Sequence, residues 1–172
     1  MRPPILSIVG RSNSGKTTLL EKLIAELSHQ GLRIGTIKHS HHQPDMDTPG
    51  KDSWRHKQAG AVTSLLVGPE RMLMVNDVHA PLNPQLLAAS YFADVDLLLV
   101  EGYASLAGSK IEVVRSQRSD ELRNADDAGL IAVVSDVDVL DTALPVFGLD
   151  DVRGLAVFIQ AWMKQFAGHQ YG

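Results

Sequence analysis

The chain contains no cysteine. That absence excludes disulfides, thiolate zinc centres and a cysteine nucleophile, and it suits a reducing compartment. Nor is there an excess of positive charge, since 16 Lys and Arg stand against 20 Asp and Glu for a formal net charge of -4 at pH 7. This balance gives no basic field of the kind that duplex nucleic acid demands, and no strongly acidic tail, so nucleic acid is not the expected partner. No apolar run reaches the roughly 18 residues of a membrane span, and the opening MRPPILSIVGRSNSG has too short an apolar core for a signal peptide. The expected setting is cytoplasmic and away from membranes. No internal repeat or linker interrupts the sequence. What is present is 172 residues with 44% hydrophobic and 21% charged positions, the size and composition of one globular domain with a full core over residues 1–172.

The apolar run from Ile5 to Val9 ends in Gly10, and Leu19, Leu20, Leu23, Ile24 and Leu27 then recur at helical spacing. This predicts strand, glycine loop and helix, with Gly31 at the helix stop and LRIGTIK as a second strand. Further on, Asp52 or Ser53 can cap a short helix through Ala59, and VTSLLV faces RMLMV across Gly68-Pro69 as a hairpin. PQLLAASYF reads as a helix, whereas ADVDLLLVEG, KIEVVR and LIAVVSD read as buried strands. Near the end, Val152, Leu155, Ala156, Ile159, Trp162, Met163 and Phe166 form one helical stripe suited to core packing. Parallel strands need crossover helices, so the pattern predicts an α/β fold with a mainly parallel central sheet flanked by helices and extended by a β-hairpin.

The segment GRSNSGKT, Gly10 to Thr17, fits G-x-x-x-x-G-K-[ST] and lies between a predicted strand and a predicted helix, as that phosphate-binding motif requires. Its glycines allow a tight turn with inward N–H groups, and the positive end of the following helix adds to an anion site. Lys16 would neutralise the β and γ phosphates and so count among the catalytic groups. Thr17 would give a hydroxyl oxygen to Mg2+. A second acid is needed at the end of a neighbouring strand, and Glu101 closes the run DLLLVE. Asp96 opens that run and falls at the wrong edge of the sheet. The plainer alternative for Glu101 is a solvated loop residue.

Taken together, GRSNSGKTTL, the block from Lys38 to Ala61, DLLLVEGY, KIEVVR and IAVVSD resemble the MobB family of molybdopterin-guanine dinucleotide biosynthesis adapter proteins. The resemblance implies a P-loop NTPase fold, GTP binding with slow hydrolysis, a homodimer, and assistance to a guanylyltransferase that joins GMP to molybdopterin. By position, Gly10, Arg11, Ser12, Asn13, Ser14, Gly15, Lys16, Thr17 and Thr18 would bind the phosphates, with Thr17 and Glu101 serving Mg2+. Many GTPases read guanine with N-K-x-D, which is absent here. Asp136 in VVSD stands where such an aspartate would, and it either accepts from both guanine N–H groups or merely turns the chain with Ser135.

The stretch KHSHHQPDMDTPGKDS, Lys38 to Ser53, admits three readings. His39, His41 and His42 with Asp45 or Asp47 have ligand chemistry suited to zinc or nickel, although in a strand His42 would face away from the other two. Alternatively the stretch is a switch or pterin-contacting loop at the carboxyl edge of the sheet. There Asp47 or Asp52 would orient an attacking water, while Lys51 or a histidine would contact phosphate. The third reading is a solvated turn. A small-molecule kinase with Arg115, Arg118 and Arg123 as lid, or a nucleotide-dependent interaction module without catalysis, are the rival functions. The apolar hairpin strand VTSLLV predicts a dimer contact.

Overall fold

The structure is a computed structural model that describes residues 2–40, 48–79 and 82–168. In chain order its elements are β1 (Ile5–Val9), α1 (Lys16–His29), β2 (Ile34–Lys38), α2 (Asp52–Gln58), β3 (Thr63–Val67), β4 (Met72–Asn76), α3 (Pro84–Tyr91), β5 (Leu97–Glu101), β6 (Lys110–Val114), β7 (Leu130–Ser135), β8 (Val146–Phe147) and α4 (Val152–Gly168). The chain divides into two compact units, one of Met1–His39 with Pro84–Gly172 and the other of Ser40–Asn83.

The larger unit holds a six-stranded sheet in the order β2-β5-β1-β6-β7-β8. Every neighbouring pair is parallel. The strands are apolar on both sides because helices cover both faces. Leu97 and Leu99 of β5 join Leu6, Ile8, Ile111, Val113, Ala132 and Val134 in a cluster with α1 and α4. Leu98 and Val100 face the other way, onto Ala88 of α3 with Phe92 and Tyr103. The expected terminal stripe is in place through Met163, with Leu155, Ala156 and Ile159 buried and Val152, Trp162 and Met163 packed against them, while the side chain of Phe166 lies outside the described residues. β8 leaves no mark in the sequence pattern, since two residues in a turn-rich stretch carry no periodicity.

Two charged residues of β6 lie inside this core. Lys110 is buried and pairs with Asp127 at 2.6 Å. Glu112 is buried as well, and its two oxygens accept the backbone N–H groups of Arg123 and Asn124 at 2.9 and 3.0 Å. Both thereby fasten the long connection from β6 to β7. At the amino ends of the strands, Asp96 pairs with Arg33 at 2.8 Å, which confirms its place on the edge away from the phosphate loop.

The smaller unit consists of α2 and the antiparallel pair β3–β4, joined through the turn closed by Gly68 N–H to Arg71 O at 2.8 Å. Lys57 ties the end of α2 to the hairpin by donating to Ala61 O and Val62 O at 2.5 and 2.9 Å and pairing with Asp77 at 2.8 Å. Neither Asp52 nor Ser53 caps α2. The cap position is Lys51, without a side-chain hydrogen bond, and Asp52 is the first helical residue. There its negative charge complements the positive helix end instead.

Candidate functional site

β1 occupies the middle of the larger unit's sheet, and its carboxyl end opens into the glycine loop. The path of that loop explains the glycine at each end. Gly10 has φ 139°, and a Cβ there would overlap the carbonyl oxygen of Val113 in β6. Gly15 has φ 91° and is the N-cap of α1. A glycine cap supplies no side-chain acceptor, which leaves the first-turn N–H groups of α1 for an anion. The loops after β1 and β6 then diverge toward strands on opposite sides, and such a switch point is where open parallel sheets take their ligands.

The side chain of Lys16 curls back over this loop, donating to Gly10 O at 3.1 Å and Arg11 O at 2.7 Å. Burial holds its pKa below the ordinary lysine value, and the charges of Lys38 and Arg123 push the same way against the opposing pull of Glu101. Thr17 donates its hydroxyl to Glu101 Oε1 at 2.7 Å. A hydroxyl whose proton is directed at a carboxylate keeps its lone pairs for a metal, so this pair can hold Mg2+. Glu101 also pairs with Lys38 at 3.5 Å. Ser12, Asn13, Gly15, Lys16, Thr17, Thr18, Lys38 and Glu101 line one cleft. Arg11 and Ser14 face a separate small cavity toward β6, where the buried Ser14 hydroxyl has no hydrogen-bond partner among the described residues.

Asp136 follows β7 directly. Its Oδ1 accepts the Ser116 N–H at 2.7 Å, and its Oδ2 lies 3.3 Å from Arg115 Nε. The Ser116 N–H is the main reason its pKa lies below the ordinary aspartate value, with Arg115 adding to the effect. Each oxygen retains acceptor capacity, so the carboxylate is oriented but not saturated. Arg115 also reaches the phosphate loop, with Nη1 3.5 Å from where a Gly15 Cβ would stand.

The histidine stretch is reached only in part. The exposed His39 donates its N–H to Glu101 O at 3.1 Å and sets its ring edge-on to Tyr103, with centroids 4.4 Å apart. His41, His42, Asp45 and Asp47 lie outside the described residues. Among the described residues no group of three metal-ligating side chains occurs. Lys51 and Asp52 belong to the smaller unit, where Asp52 approaches Arg55 at 3.9 Å. Sequence reasoning gave Lys38 no role at the phosphates and named Arg115 only as a lid residue of the rival kinase reading. A signal existed, because IGTIK and KIEVVR each end on a cation at the carboxyl edge of a predicted parallel strand.

A glycine loop between central strand and helix, a lysine over its carbonyls and a hydroxyl–carboxylate pair beside it define the P-loop nucleotide-binding fold on an α/β sheet. Residues 5–136 match the MobB family, described as molybdopterin guanine dinucleotide synthesis protein B, and the chain belongs to that family. It is 40% identical over 172 residues to the molybdopterin-guanine dinucleotide biosynthesis adapter protein of Escherichia coli (strain K12), covering 96% of each chain. Against the protein of the same name from Haemophilus influenzae it is 37% identical over 166 residues, covering 96% of this chain and 92% of the relative. The crystal structure of Bacillus subtilis MobB superposes with a TM-score of 0.73 at 29% identity, covering 91% of this chain and 96% of that one.

Proposed function

We propose that this chain is a GTP-binding adapter with slow GTPase activity that assists attachment of GMP to molybdopterin in molybdenum cofactor biosynthesis. The observation that carries the nucleotide part is the 2.7 Å hydrogen bond from Thr17 to Glu101 beside a lysine folded over the glycine loop. The names of the relatives supply the pathway. On this reading Lys16 and the loop N–H groups bind the β and γ phosphates, and Thr17 and Glu101 hold Mg2+, which screens phosphate charge. Asp47 or Asp52 orients the attacking water, while His39, His41, His42 and Lys51 contact phosphate or the pterin substrate. The whole chain acts as one nucleotide-binding domain in the cytoplasm, and its partner is the guanylyltransferase. Among the described residues no helix is long and apolar enough to cross a membrane.

Asp136 is proposed to read guanine. Hydrogen bonds to a charged acceptor contribute about 1.5–3 kcal/mol, so GTP should bind roughly tenfold to a hundredfold tighter than ATP. Calorimetric titration of both nucleotides with Mg2+ checks this, and Asp136→Asn should bring the two affinities together. Equal affinities in the wild type rule out guanine reading by Asp136. Phosphate appearing on an acceptor instead of free in solution turns the assignment toward a kinase.

The hairpin is proposed as the dimer contact, because Leu66, Val67 and Met72 are 54%, 69% and 70% exposed on a two-stranded sheet. Sedimentation velocity at micromolar concentration should give a dimer, and Val67→Lys should shift it toward monomer. A wild-type monomer under those conditions refutes the contact.

A further inference from the structure

Lys38 pairs with Glu101 at the carboxyl edge of the sheet. It is the last residue of β2 and sits in register beside Glu101 in β5. An ion pair between neighbouring strands at a sheet edge ordinarily contributes little, since water screens it and the lysine loses rotamer freedom. Three features set this one apart. Its carboxylate is 14% exposed, and its Oε1 is the same atom that accepts the Thr17 hydroxyl. The lysine itself is 65% exposed on a flexible stem, free to change partner. Lys38 also lines the same cleft as Lys16. Its charge is one of those that depress the Lys16 pKa. Two ammonium groups therefore share a cleft whose lining contains a single carboxylate, a balance that suits a polyphosphate.

We propose that Lys38 is a second phosphate lysine that pairs with Glu101 until a divalent cation takes that carboxylate, and then moves to the terminal phosphate of the nucleotide. A divalent cation on Thr17 and Glu101 competes directly with the ammonium for Oε1, and the nearest compensating anion is the phosphate that the cation accompanies. The transfer bears on the residue after β2 as well, because His39 donates its backbone N–H to Glu101 O and sets its ring against Tyr103. The proposal rests on the nucleotide reading above and adds a residue to it that the phosphate-loop motif does not contain.

Calorimetry with GTP and GDP in Mg2+ tests it. Lys38→Met should weaken GTP at least tenfold and GDP less than threefold, and Lys38→Arg should recover most of the GTP affinity. Mn2+ titrated into the GDP complex and followed by electron paramagnetic resonance should bind several-fold tighter in Lys38→Met, because Glu101 no longer has an ammonium to release. Equal losses for the two nucleotides, unchanged GTP affinity or unchanged Mn2+ affinity overturn the proposal while leaving the phosphate loop intact. A wild-type protein that binds neither nucleotide removes both readings.

Discussion

Replacing Lys16 with methionine is expected to weaken GTP binding by a factor of about 10^2 to 10^4. A charge-assisted contact contributes about 1.5–3 kcal/mol, and a lysine at this position of the motif meets two phosphates, which gives that range when converted to an affinity. The structure explains why no neighbour can substitute. Lys16 is held over the loop by the carbonyls of Gly10 and Arg11, whereas Lys38 ends β2, two strands away from β1, and Arg115 is paired with Asp136. Methionine keeps the length of the stem and removes the charge. The measurement is a calorimetric titration, with circular dichroism and thermal unfolding confirming that the loop tolerates the loss of the two carbonyl contacts. Affinity within tenfold of wild type would mean that the nucleotide does not sit in this loop.

The largest stability effect is expected at Glu112. Glu112→Ala should lower the unfolding free energy by about 2–5 kcal/mol, since two backbone N–H donors lose a charged acceptor at about 1–3 kcal/mol each. Glu112 is 1% exposed within a wholly buried strand, and its carboxylate is the acceptor for the Arg123 and Asn124 N–H groups. Alanine leaves both donors without that acceptor and opens a cavity where the carboxylate stood. Glutamine keeps the shape but exchanges one acceptor oxygen for a donor nitrogen facing an N–H, so it should cost about 1–3 kcal/mol. Urea unfolding distinguishes the three proteins. A loss under about 1 kcal/mol for alanine would show that the β6–β7 connection finds other acceptors.

The same residue shows where sequence reasoning ends. The buried strands of the main sheet are legible as short apolar runs, and the phosphate loop is legible because its chemistry demands fixed spacing. Glu101 is legible by topology, as an acid at the carboxyl end of an apolar run. Glu112 is not, because the two charges of KIEVV, Lys110 and Glu112, resemble strand alternation, and the partners of Glu112 stand 11 and 12 positions downstream in a segment without period. The Arg115 to Asp136 pairing likewise depends on β6 and β7 being neighbours in a particular register. The Asp52 cap fails for a local reason. Any Ser, Thr, Asp or Asn near a helix start is a candidate cap, and backbone geometry alone decides which residue stands one position earlier.

The strand order has a further consequence, for the chain as it leaves the ribosome. Among the described residues β1 pairs with β5 and β6 alone, and β2 with β5 alone. Among the described residues before Leu97, the sole strand pairing is therefore the hairpin of β3 with β4. Both the phosphate-loop strand and its companion must wait, unpaired, for the segment that slots between them. Long-range parallel pairing of this kind is slow and leaves apolar edges open to other chains meanwhile. The strand that brings Glu101 to the cleft is thus also the piece on which the nascent sheet closes.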